Sequence, residues 1–256
     1  MVHGITINIV VLLLLAGVVA GFLNTAASSG SAVTLPAMIG LGLDPVMANA
    51  TNRVPIVVGC AVAVWKFHRA GQLPWGLATR LSAPLMAGGL LGVTIATGLG
   101  ITRTGFLTTL AVAIAAVLVL LKPSRWLHAE RTEAEPNTGP VVLALLVAVG
   151  VWGGLIALDS ATYALAVLVL VAHLPIREAN ALKVLGLGLV ASLGMIVFAI
   201  KGEVEWFWAL PLSAGGIVGS LLGTRVALGP NAAKWIYWLL IGVLGFEAIR
   251  LGFFYL

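Results

Sequence analysis

Two cations set in apolar surroundings are the residues best suited to chemistry. Arg53 ends Asn49-Ala50-Thr51-Asn52-Arg53, and Lys183 ends Asn180-Ala181-Leu182-Lys183. Each lies just past an Ala-Asn-Ala triplet, at 48–50 and at 179–181, and the triplets are 131 residues apart. At that offset Lys183 falls on Asn52, one residue from Arg53. Two cations brought together among amides and hydroxyls would bind an anion. Arg would hold an oxyanion through two parallel N–H donors, and Lys would act as a point charge. Asn24, Ser28, Ser29, Ser31, Asn49, Thr51, Asn52, Ser160, Thr162 and Asn180 would shape such a site. Asp159 would either carry a proton or pair with Lys183. The competing reading has Arg53 and Lys183 snorkel to an interface and bind lipid headgroups; Arg80, nearer a segment start, is assigned that role.

The elements that must position these residues are written twice. The same offset carries Gly71 onto Gly202 and Trp75 onto Trp206. After a four-residue slip, Pro84-Leu85-Met86-Ala87-Gly88-Gly89 recurs as Pro211-Leu212-Ser213-Ala214-Gly215-Gly216, and Gly92 recurs as Gly219. Each half divides into five apolar segments, roughly 5–23, 31–43, 46–65, 75–99 and 104–121, then 140–158, 161–173, 176–200, 206–227 and 231–254. Residues 1–121 form a first repeat, 122–140 a hydrophilic linker and 141–256 a second repeat.

With 61% hydrophobic and 9% charged residues, the chain lacks the roughly 25% charge of a soluble domain. Continuous apolar runs, without the alternation of barrel strands, predict an all-α polytopic membrane protein. The second segment of each half is short: as a helix, 31–43 reaches about 20 Å against about 30 Å of hydrocarbon. Polar, small residues join it to the first segment, as Asn24 to Ser31 and as Asp159 to Thr162. Each pair therefore reads either as an interrupted hairpin whose tip lies inside the membrane or as two tilted helices with a surface turn. Short interrupted segments at matching positions favour the hairpin.

A hairpin returns to its own side, so each half makes three further crossings and the second half is inverted. With the linker inside, Lys66, Arg69, Lys122, Arg125, Arg131, Arg177, Arg225 and Lys234 are cytoplasmic, against Arg103, Lys201 and Arg250 outside. This obeys the positive-inside rule. Trp65, Trp75, Trp126, Trp206, Trp208 and Trp235 sit at segment ends as interfacial anchors.

The net charge of +5 is scattered over short loops and helix ends, which excludes a nucleic-acid surface. The single cysteine, Cys60, excludes an internal disulfide. No metal-spaced histidines, convincing catalytic set or Walker loop is present, so neither an enzyme nor a cofactor is expected. The paired Gly88, Gly89, Gly92 and Gly215, Gly216, Gly219 are expected to let helices pack closely, and they permit a homodimer.

These features resemble the TauE/SafE family of sulfite exporters. The resemblance rests on the Gly21 to Gly30 stretch leading to Pro36, and on Ala48-Asn49-Ala50-Thr51-Asn52 opening the next helix. The recurrence around Ala179 to Lys183 and the paired Ala-Gly-Gly-x-x-Gly segments also carry it. It implies a multi-pass protein of the cell (inner) membrane of a prokaryote that moves sulfite, a sulfonate or a related small organosulfur anion, often outward. The first hairpin is less glycine-rich than is usual in that family, which implies altered anion selectivity. A carboxylate transporter or a passive anion channel on the same scaffold is the alternative, and a membrane enzyme or assembly factor a third.

Overall fold

The computed structural model describes residues 6–27, 30–99, 136–158 and 160–255. Its elements, in chain order, are all helical. The first, α1 (Ile7–Ala26), is a continuous apolar run that stops among polar residues. A short α2 follows (Ser31–Gly40), then α3 (Pro45–Arg69) and α4 (Trp75–Leu99). The order then repeats with α5 (Pro140–Leu155) and a short α6 (Ser160–Ala166) that continues into a π turn, Val167–Val171. The remaining helices are α7 (Ile176–Ile200), α8 (Trp206–Leu228) and α9 (Ala232–Tyr255).

Local chemistry sets the ends. Asp44 caps α3, its Oδ1 accepting from the Val46 N–H at 2.8 Å, with Pro45 in the first helical position. Lys66, His68 and Arg69 occupy the last turn of α3, where cations suit the exposed carbonyls. Lys66 and Arg69 also lie 5.0 and 4.8 Å from the Trp65 ring. Left-handed turns recur at matching positions: Gly42 (φ 98) with His173 (φ 58), and Gly71 (φ 66) with Gly202 (φ 71). Phe67 and Phe198, also 131 residues apart, are both buried in the last turns of α3 and α7.

Helices α1, α3, α4, α7 and α8 are long and apolar enough to cross a membrane. Helix α2, at ten residues, reaches only about 15 Å. Large apolar side chains such as Ile7, Ile200, Phe207 and Leu210 point outward. So much exposed apolar surface requires a lipid solvent. Trp65, Trp75, Trp206 and Trp235 are exposed at helix ends, as belt residues should be.

Each opening helix packs along the fourth helix of the other half: α1 on α8, and α5 on α4. Glycine makes the fit. A methyl group on Gly17 or Gly21 would strike the carbonyl oxygen of Leu212 or Gly216, and one on Gly215 or Gly219 that of Leu14 or Val18. The second interface repeats this, with Gly150 and Gly154 against Leu85 and Gly89, and Gly88 and Gly92 against Val147 and Val151. Lipid is as apolar as any side chain, so close backbone contact of this kind replaces the hydrophobic effect as glue. The paired glycines are thus used within the chain. Helices α3 and α7 pack on one another, and also on α8 and α4 respectively.

The segment boundaries differ from expectation at four places, the first being α2, which ends at Gly40, three residues before the expected 43. Helix α1 continues to Ala26, so Asn24 and Thr25 are helical rather than part of the joining loop. Helix α5 ends at Leu155, three residues early, because Ile156 turns extended (φ −135, ψ 123). Helix α3 runs on to Arg69, which places Lys66 and Arg69 on a helix instead of a loop. The segment 104–121, most of the linker, Trp126, Ser28, Ser29 and Asp159 lie outside the described residues.

Candidate functional site

Helices α1 and α5 both end against protein, and the last carbonyls of a helix have no partner within it. Buried away from water, such groups must be bonded elsewhere. The bonds come from the opposite half of the chain.

At the end of α5, Arg53 of α3 donates from Nη1 to the Gly153 carbonyl at 3.2 Å and from Nη2 to the Gly154 carbonyl at 2.7 Å. Its guanidinium lies 5.1 Å from the Phe198 ring centroid, and any side chain at Gly194 would displace it. Asn49, one turn earlier on α3, donates to the Leu155 carbonyl at 3.3 Å, while its Oδ1 accepts from the Ala157 N–H at 3.3 Å. Trp152 Nε1 donates across the break to the Leu158 carbonyl at 2.7 Å.

At the end of α1, Lys183 of α7 donates from Nζ to the Asn24 carbonyl at 2.8 Å and to the Ala27 carbonyl at 2.9 Å. Asn180, one turn earlier on α7, donates to the Thr25 carbonyl at 2.9 Å. Asn49 and Asn180 are the central residues of the two Ala-Asn-Ala triplets, and all four flanking alanines are fully buried. The triplet now has a physical reason: small residues let the helix approach, and the amide between them bonds the broken end. Its cation follows three or four residues later, on the same face.

Both cations are buried, Arg53 at 0% and Lys183 at 1% exposure. They sit eight and seven residues into 25-residue helices, roughly 12 and 10 Å along their axes. They therefore do not snorkel to lipid headgroups. Carbonyl oxygens at the negative end of a helix dipole compensate each charge. Arg53 Nε has no hydrogen-bond partner, and neither has Asn180 Oδ1.

A third cluster opens α2. Asn52 donates from Nδ2 to Ser31 Oγ at 2.9 Å and accepts from Thr34 Oγ1 at 2.5 Å. Asn24 Oδ1 accepts from the Gly30 N–H at 2.8 Å, so the same residue serves the α1 end through its carbonyl and the α2 start through its side chain. The structure thus joins Asn24, Ser31 and Asn52 around α2, and Asn24, Asn180 and Lys183 around the α1 end. Thr51 is directed elsewhere: its Oγ1 accepts from the Glu205 N–H at 3.0 Å, between α7 and α8. Ser160 lines a cavity of about 10 Å³, room for one water, with Gly153, Leu187 and Val190. Thr162 is buried two residues further along α6. The sequence reading missed Thr34 and Trp152. The signal for Thr34 was its position three residues after Ser31, on the same face of a short helix.

An all-α, multi-pass membrane protein with two interrupted helical hairpins, each bonded by the other half of the chain, is a transporter architecture. The sulfite exporter TauE/SafE family model matches residues 13–251, so this chain belongs to that family. It is also 29% identical, over 95% of its length and 92% of the other's, to a probable membrane transporter protein ORF9 from Sinorhizobium sp. No solved structure matches it.

Proposed function

We propose that the chain is a secondary transporter that exports a small organosulfur anion, such as sulfite or a sulfonate, across a prokaryotic inner membrane. Transport proceeds by alternating access between two inverted repeats. The observation that carries this reading is the reciprocal bonding of broken helices: Arg53 on the α5 end and Lys183 on the α1 end. Each cation spends two donors on carbonyls. Arg53 keeps Nε, and Lys183 keeps a third N–H, as donors for an oxyanion. Ser31, Asn52, Ser160 and Thr162 supply neutral groups at the starts of α2 and α6, where the helix dipole also favours negative charge. From the sequence alone, Ser28 and Ser29 are further neutral groups and Asp159 a proton carrier.

Matching turns at Gly71 and Gly202, and matching glycine contacts in the two outer interfaces, support the repeat. Three crossings after each hairpin, the third of the first half being the apolar run 104–121 of the sequence, would make it inverted. The test is thermal stability of the purified protein against sulfite, sulfoacetate, taurine, sulfate, thiosulfate and simple carboxylates. Binding adds RT ln(1 + [L]/Kd), about 2.7 kcal/mol at a hundredfold excess over Kd. A shift with a sulfur oxyanion that shrinks in Arg53→Lys is expected. A shift with carboxylates alone would reassign the substrate class, and none with any anion would remove the binding site.

A further inference from the structure

Interrupted-helix transporters bind coupling Na⁺ with unwound backbone carbonyls at the C-terminal ends of half-helices. Here the corresponding carbonyls hold the chain's own side chains. Lys183 Nζ lies 2.8 and 2.9 Å from the Asn24 and Ala27 carbonyls, and Arg53 bridges those of Gly153 and Gly154. Both cations are fully buried, and the Asn180 Oδ1 acceptor beside the α1 end is unpartnered. The ammonium group therefore sits where acceptors converge and a small monovalent cation would otherwise be needed.

We propose that Lys183 and Arg53 are tethered replacements for coupling sodium, so that transport requires no Na⁺, and that removing the Lys183 side chain exposes a carbonyl-lined site for a small monovalent cation. This specifies the coupling of the transporter reading above and rests on it. Two consequences follow from the chemistry. The charge on the anion is balanced by groups that never leave the protein. A free cation of similar size and charge should also serve in place of the lost ammonium.

The experiment has two arms. In proteoliposomes at fixed pH and ionic strength, wild-type sulfite flux should agree within about twofold between sodium and choline media, whereas a tenfold loss in choline would overturn the proposal. In the second arm, melting of Lys183→Ala is followed in sodium, methylammonium and choline chlorides. The variant should melt lower than wild type in choline and recover by several degrees in methylammonium or sodium, with wild type unchanged. Equal melting in all three salts would overturn the cation site. The wild-type arm needs no variant, so it decides the sodium question even where Lys183→Ala yields no folded protein. Flux in neither medium would sink the transporter reading, while the melting arm would still judge the cation site.

Discussion

Arg53 and Lys183 are not equivalent cations, and their geometries predict different tolerance. The guanidinium reaches two successive carbonyls at once, whereas the ammonium is a point charge between carbonyls three residues apart. Arg53→Lys should preserve folding yet lose one carbonyl bond, lowering stability by about 1–3 kcal/mol, or a Tm drop of roughly 2–12 °C. Arg53→Ala should cost more, because two buried carbonyls lose their partner. Thermal unfolding in detergent checks both, and an alanine variant as stable as wild type would contradict the assignment. Asn52→Ala should also destabilise by about 1–3 kcal/mol, since it removes the Asn52 donor from Ser31 and leaves Thr34 only the Gly30 carbonyl at 3.4 Å, while exposing nothing to water. These partnerships were not legible in the sequence. A buried cation announces that it needs compensation, but here the compensating groups are backbone carbonyls. Their availability depends on where α1 and α5 stop, and Lys183 lies 159 residues from Asn24.

At the scale of the elements, the sequence was more explicit. Continuous apolar runs delimited helices, and repeated glycine spacing marked the faces that pack. What it left out was the partner. The glycines of α4 meet α5 and those of α8 meet α1, an exchange between halves that no local pattern encodes. The resulting prediction is a contrast. Gly219→Ala and Gly92→Ala should sharply reduce the yield of monodisperse protein, since each added methyl group meets a backbone oxygen that cannot move without its helix. Gly76→Ala and Gly242→Ala, where nothing lies within 4 Å of the added carbon, should be neutral or slightly stabilising. Size-exclusion profiles in detergent decide it. Matching behaviour of the two pairs would refute the packing account.

For the whole molecule, the proposed inversion of the halves would place equivalent turns on opposite sides of the membrane. Single cysteines at Gly71 and at Gly202, with Cys60 replaced by Ala, should label from the cytoplasmic and the opposite side respectively in oriented vesicles. Labelling of both from one side would contradict inversion. The repeat itself could be read from Ala-Asn-Ala, Gly71 and Gly202, and Trp75 and Trp206, because a duplication preserves the residues its geometry cannot spare. The order of events in transport was not readable in this way. On the proposed reading, it would depend on how two cross-bonded helix ends share donors between their carbonyls and an anion.

Counterflow in proteoliposomes tests that central claim most directly. Vesicles loaded with unlabelled sulfite should draw in labelled sulfite transiently, with saturation, and Arg53→Lys should cut the initial rate by about tenfold or more, corresponding to about 1.4 kcal/mol of lost interaction. Uptake that rises without saturation, or a variant rate equal to wild type, would contradict an alternating-access transporter that holds its substrate through Arg53.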